Sequence, residues 1–83
     1  MTEFTIRYHK YNQNLGECEV KIPTHTLDEF LHHFKRLFEM ELLQGQFRSE
    51  QENTHIKFQA SKQKIQLLQK VILIALESTA RLN

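Results

Sequence analysis

The sequence predicts an α+β two-layer sandwich: an antiparallel sheet of three or four strands with two helices packed on one face. Three observations lead there. Near the N-terminus two short runs alternate apolar and polar residues, the period of a half-buried strand. Two later segments repeat apolar residues at three- and four-residue spacing, the period of an amphipathic helix. The alternating runs are mostly segregated from the helical ones, which favours hairpins over parallel crossovers. Eighty-three residues fit one domain, 1–83.

The first strand is read over residues 3–11. Phe4, Ile6 and Tyr8 face one way, and Thr5, Arg7, His9 and Tyr11 the other. Asn12, Asn14 and Gly16 supply the turn, because these residue types tolerate left-handed backbone angles. Residues 17–22 alternate again, with Cys18, Val20 and Ile22 opposing Glu17, Glu19 and Lys21. Pro23 has no N–H for a ladder and ends the strand.

Thr26 followed three residues later by Glu29 matches a capping box, and Asp28 with Glu29 suits the positive end of a helix dipole. Leu27, Phe30, Leu31, Phe34, Leu37, Phe38 and Leu42 then lie on one stripe, so a helix is expected over 27–43, capped by Gly45. Residues 54–59 alternate and read as a strand, with 46–49 as its hairpin partner across a turn at 50–53. Ser61 is the expected cap of a second helix over 62–81. The order is β-β-α-β-β-α, or β-β-α-β-α if 46–49 stays a loop.

The second helix is unusually apolar. Ile65, Leu67, Leu68, Val71, Ile72, Ile74, Ala75 and Leu76 cover more than half of its wheel. Leu73 falls among the polar residues, and Leu67 and Ile74 sit at the margin. On the first helix Met40 and Leu43 fall off the main stripe. These five form the expected partner-binding patch, since a small domain gains stability by covering such residues through pairing. Methionine suits adaptable contacts.

The charge balance, 11 basic against 10 acidic residues for a net +1, lacks the excess of a typical nucleic-acid binder or a polybasic membrane anchor. The apolar run at 71–76 is far shorter than the ~20 residues a membrane span needs. One cysteine, Cys18, rules out an internal disulfide, and the N-terminal residues have no apolar core of signal-peptide length. A cytoplasmic setting is the expectation.

No pattern of reactive residues stands out. His32 and His33 are adjacent on a helix and point about 100° apart, so they do not chelate one metal together. Glu29 is four residues before His33, but two ligands fall short of a zinc site, and an ordinary ion pair is expected. Cys18 reads as a small buried apolar residue. The pairs Glu17/Glu19 and Asp28/Glu29 lack the cleft that two-carboxylate chemistry needs. There is no glycine-rich phosphate loop and no CxxC. No catalytic, cofactor or metal-binding residue is therefore assigned, and no enzyme is expected.

The outward sheet face is the alternative site. It would carry Arg7, His9, Tyr11, Lys21, Arg48, His55 and Lys57. In physical kind this resembles the surface of an RNA-recognition sheet, though no ribonucleoprotein motif is present and Glu17 and Glu19 share the face. The expected function is a protein–protein interaction module of adaptor or inhibitor type, homodimeric through its helices. RNA or single-stranded DNA binding through the sheet face is the alternative.

Overall fold

A computed structural model describes residues 4–82. The elements run β1 (Thr5–Lys10), β2 (Gly16–Pro23), α1 (Leu27–Phe38), β3 (Phe47–Ser49), β4 (Asn53–Ala60) and α2 (Lys64–Leu82). One antiparallel sheet has the order β1-β2-β4-β3. The expected two-layer α+β sandwich is present, with all four strands. Glu3, at the start of the strand expected over 3–11, lies outside the described residues.

The turns follow from local chemistry. Asn12 Oδ1 accepts from the N–H groups of Asn14 and Leu15, each at 2.9 Å, and folds the β1–β2 connection back on itself. The β3–β4 turn closes with the Glu50 N–H on the Asn53 carbonyl at 2.9 Å. Between these hairpins the central pair β2–β4 joins Gly16–Pro23 to Asn53–Ala60 over the full length of both strands.

Alternation then sets the layers. Cys18, Val20 and Ile22 of β2 and Ile56 and Phe58 of β4 face the helices, where they meet Phe30 and Phe34 of α1 and Leu68, Val71, Ile72 and Ala75 of α2. Phe34 stacks on Phe38 at 4.4 Å and meets Phe58 edge-on at 5.1 Å. Both arrangements suit the quadrupole of the rings. Ile6 and Tyr8 of the edge strand β1, and Phe4 just before it, pack against this core but stay only half buried.

Helix α1 is shorter than expected. It ends at Phe38, and Glu39 takes the left-handed conformation at φ 57° with its N–H on the Lys35 carbonyl. From there the chain runs through a connecting segment, not a helix, to reach β3 at Phe47. Leu42 still reaches the core, but from the connecting segment. Its four-residue spacing from Phe38 therefore imitates a helical stripe that is not there. Gly45 is not the cap. It lies in a 3₁₀ turn, Gln44–Gln46, that leads into β3.

The capping box is also absent. Thr26 closes a 3₁₀ turn (Thr24–Thr26) ahead of α1, and its hydroxyl donates back to the Pro23 carbonyl at 2.7 Å. Glu29 instead lies 3.4 Å from His33 Nε2, the contact that the four-residue spacing suggested, while Arg36 Nη2 stands 3.1 Å from His33 Nδ1. Helix α2 begins at Lys64, two residues later than expected, after a turn in which the Lys64 N–H bonds the Ser61 carbonyl.

Candidate interaction surfaces

Because both helices cover one face, the other face of the sheet is open. The register lays its side chains out in rows. Thr5, Lys21, His55 and Arg48 form one row, Arg7, Glu19 and Lys57 the next, and His9, Glu17 and Gln59 the third. The expected outward set Arg7, His9, Lys21, Arg48 and Lys57 therefore shares this surface. Tyr11 follows at the end of β1, 56% exposed. Its phenol is held above its ordinary range by partial desolvation, and next by the Glu17 carboxylate.

Glu19 is the hub of the face. Its Oε2 lies 3.1 Å from His9 Nε2, and its Oε1 lies 3.2 Å from Lys57 Nζ. The hydrogen bond from His9, then that from Lys57, draws its carboxyl below the usual glutamate range. With both oxygens engaged, Glu19 makes no ion pair with Arg7, its direct neighbour in register. Arg7 and Lys21 have no carboxylate within salt-bridge distance among the described residues. They line a shallow depression of about 320 Å³ together with Thr5, Glu19, His55 and Lys57. Arg48 is engaged by Glu50 at 3.3 Å.

The apolar patch expected on the helices is divided. Leu73 is 50% exposed on α2, and Leu67 and Ile74 are half buried. The rest of the apolar arc is spent on the molecule's own core: Leu68, Val71, Ile72 and Ala75 are buried, and Ile65 and Leu76 pack against them. Met40 and Leu43 are exposed, 39% and 70%, but belong to the α1–β3 connection and not to a helix. Met40 lines a depression with Glu17, Gly45, Gln46 and Lys57, beside the end of β4. The early end of α1 therefore moves these two residues off the helical surface on which they were expected.

Two arrangements escaped the sequence reading. Tyr8 extends its hydroxyl past β2 to donate to the Ala60 carbonyl at 3.3 Å. Gly16 makes this possible, since a Cβ there would lie 2.5 Å from the Tyr8 ring and 2.6 Å from the His9 carbonyl oxygen. At the other end of the sheet the buried Thr54 donates to Ser49 Oγ at 3.1 Å and stands 3.0 Å from Thr24 Oγ1. That hydroxyl donates to the Glu50 carbonyl at 2.6 Å. A glycine or threonine at a strand end signals neither arrangement until the register is known.

The reactive-residue inventory is plain. Cys18 is fully buried, and burial pushes its thiol up, away from the thiolate that nucleophilic chemistry needs. The His32 and His33 rings meet edge-on, with centroids 5.1 Å apart. Among the described residues no three His, Cys, Asp or Glu side chains gather as a metal site would require, and no helix is long and apolar enough to cross a membrane. Comparison with protein-family models, with curated proteins and with solved structures finds no match to this chain.

Proposed function

We propose that this chain is a small non-enzymatic binding module that acts on another protein as an adaptor or inhibitor, and that it self-associates through α2. The observation that carries the reading is Leu73, half exposed, with half-buried Ile74 beside it and Leu67 two turns before. Covering apolar surface is worth about 25 cal/mol per Å². A domain of this size has little core to spare, so pairing is an effective source of stability. A two-fold contact would set Leu73 against Leu73 of a second copy. A cytoplasmic setting belongs to the same reading, because the chain's single cysteine leaves it without a cross-link of its own.

The test is sedimentation velocity over a range of concentrations for the wild type and Leu73→Glu. The wild type is expected to dissociate from dimer to monomer on dilution, and the variant to remain monomeric with an unchanged circular dichroism spectrum. A wild type that is monomeric throughout overturns self-association.

A second reading, RNA or single-stranded DNA on the open face, draws on Arg7, Lys21 and Lys57 around one depression. It is the weaker one. Glu17 and Glu19 stand among those cations, and Tyr11 is the single aromatic residue of the outward set, where base stacking uses two or three.

A further inference from the structure

The outer margin of the sheet carries a feature that the helix contact does not use. Strand β1 is an edge strand. The Tyr11 N–H bonds the Leu15 carbonyl at 3.0 Å, and in an antiparallel ladder bonded pairs recur at every second residue. The pairs His9–Glu17, Arg7–Glu19 and Thr5–Lys21 therefore bond across to β2. The other ladders keep the same phase: the Thr24 N–H on the Glu52 carbonyl continues the β2–β4 series, and the Glu50 N–H on the Asn53 carbonyl continues the β3–β4 series. It follows that the N–H and C=O groups of Ile6 and Tyr8 point away from the sheet. Such a row is a template for a further strand.

The side chains along this margin specify what kind of strand. Ile6 and Tyr8 lie on the core face and are only half covered, so an added strand would complete their burial with apolar residues of its own. Arg7 stands on the open face beside Lys21, and the one carboxylate in register with Arg7 is engaged by His9 and Lys57. We propose that β1 receives an extended segment of an acidic partner protein, a strand alternating apolar residues with carboxylates. The apolar residues cover Ile6 and Tyr8. The carboxylates lie opposite Arg7 and within reach of Lys21. Main-chain bonds to Ile6 and Tyr8 supply adhesion, and the charge pattern supplies selectivity.

A second copy of β1 fits this margin less well. Antiparallel pairing centred on Arg7 sets two arginines face to face, and pairing centred on Tyr8 sets Arg7 against His9. Pairing centred on Ile6 sets Arg7 against Thr5. None of the three brings a carboxylate from Thr5–Lys10 to the cations. A nucleic acid would meet Arg7 and Lys21 but would leave the backbone edge unpaired and Ile6 and Tyr8 half covered.

This inference rests on reading the chain as a protein-binding module, though not on the α2 contact, which sedimentation of Leu73→Glu judges separately. Its test uses an end-blocked peptide, Val-Glu-Val-Glu-Val-Glu-Val, and the same peptide with lysine in place of glutamate. Binding is followed by fluorescence anisotropy, and amide exchange of the labelled protein by NMR. The acidic peptide is expected to bind and the lysine peptide not. On binding, the Ile6 and Tyr8 amides should exchange about tenfold more slowly or better, as paired edge amides do. Arg7→Glu, or Lys21→Glu should the first variant fold poorly, should weaken binding about tenfold or more through charge reversal. Three results overturn the proposal: no binding of the acidic peptide, binding that leaves Ile6 and Tyr8 exchange unchanged, or tighter binding of a uridine oligonucleotide that Arg7→Glu weakens.

Discussion

The two faces of the sheet are made by the same strands and differ only in the parity of the residue number. On β4, Phe58 meets Phe34 and Phe38 edge-on and is buried, while its neighbour Lys57 stands in solvent against Glu19. Burial of apolar area is non-directional and large, whereas an exposed ion pair is worth about 0–1 kcal/mol. One face therefore holds the fold together, and the other is nearly free to vary with function. The sharpest way to break this contrast is to cut both residues. Phe58→Ala should cost about 3–5 kcal/mol through lost burial and the cavity left behind. That is a large share of the 5–15 kcal/mol that holds a typical domain together. Lys57→Ala should stay within about 0.5 kcal/mol. Urea denaturation of both variants reads the difference, and equal midpoints would refute the assignment of faces.

A finer test concerns the edge, where the two faces meet. Gly16→Ala places a methyl group against the Tyr8 ring and the His9 carbonyl oxygen, at the 2.5 and 2.6 Å approaches. The ring can swing aside, but it then gives up its bond to the Ala60 carbonyl. The backbone oxygen moves only if β1 shifts against β2. Overpacking of this kind costs about 1–3 kcal/mol. The variant should unfold at lower urea concentration and lose protection at the β1 amides before those of β4. Unchanged β1 protection would show that Tyr8 is not locked in place through this contact.

The sheet was largely legible in the sequence because strand parity is a local property. Phe4, Ile6 and Tyr8 against Arg7 and His9, or Cys18, Val20 and Ile22 against Glu19 and Lys21, separate by position alone, and the structure keeps that separation. The end of α1 was not legible, because Leu42 holds helical spacing while packing from a loop. Met40 and Leu43 went astray with it. The capping box failed because the 3₁₀ turn before α1 holds Thr26 in a helical backbone conformation, φ −95° and ψ 0°, where a capping residue would be extended, and its hydroxyl donates back to the Pro23 carbonyl. The hub role of Glu19 depends on β2 pairing with β4 across more than thirty residues of chain. No local pattern specifies that pairing. The open face of the sheet inherits this limit: its members were readable by parity, and their arrangement only from the register.

The open face should nevertheless leave one small trace in stability, through Glu19. Its carboxyl titrates below the ordinary glutamate range because His9 first, and Lys57 second, bond the charged form. A carboxyl whose folded value is depressed stabilises the native state fully above its unfolded value, near 4.3, and loses that contribution as pH falls through the depressed folded value. Between those limits the unfolded chain binds the proton and the folded chain does not, so stability should decline as acid is added. Glu19→Gln removes this proton-linked term while keeping the size of the side chain. Melting temperatures of wild type and variant, measured from pH 6 down to about pH 3, should therefore converge as the medium acidifies. The gap should be widest where Glu19 is ionised in both states. A gap that stays constant across this range would mean that the His9 and Lys57 contacts do not persist in solution, and that Glu19 is free to pair with Arg7.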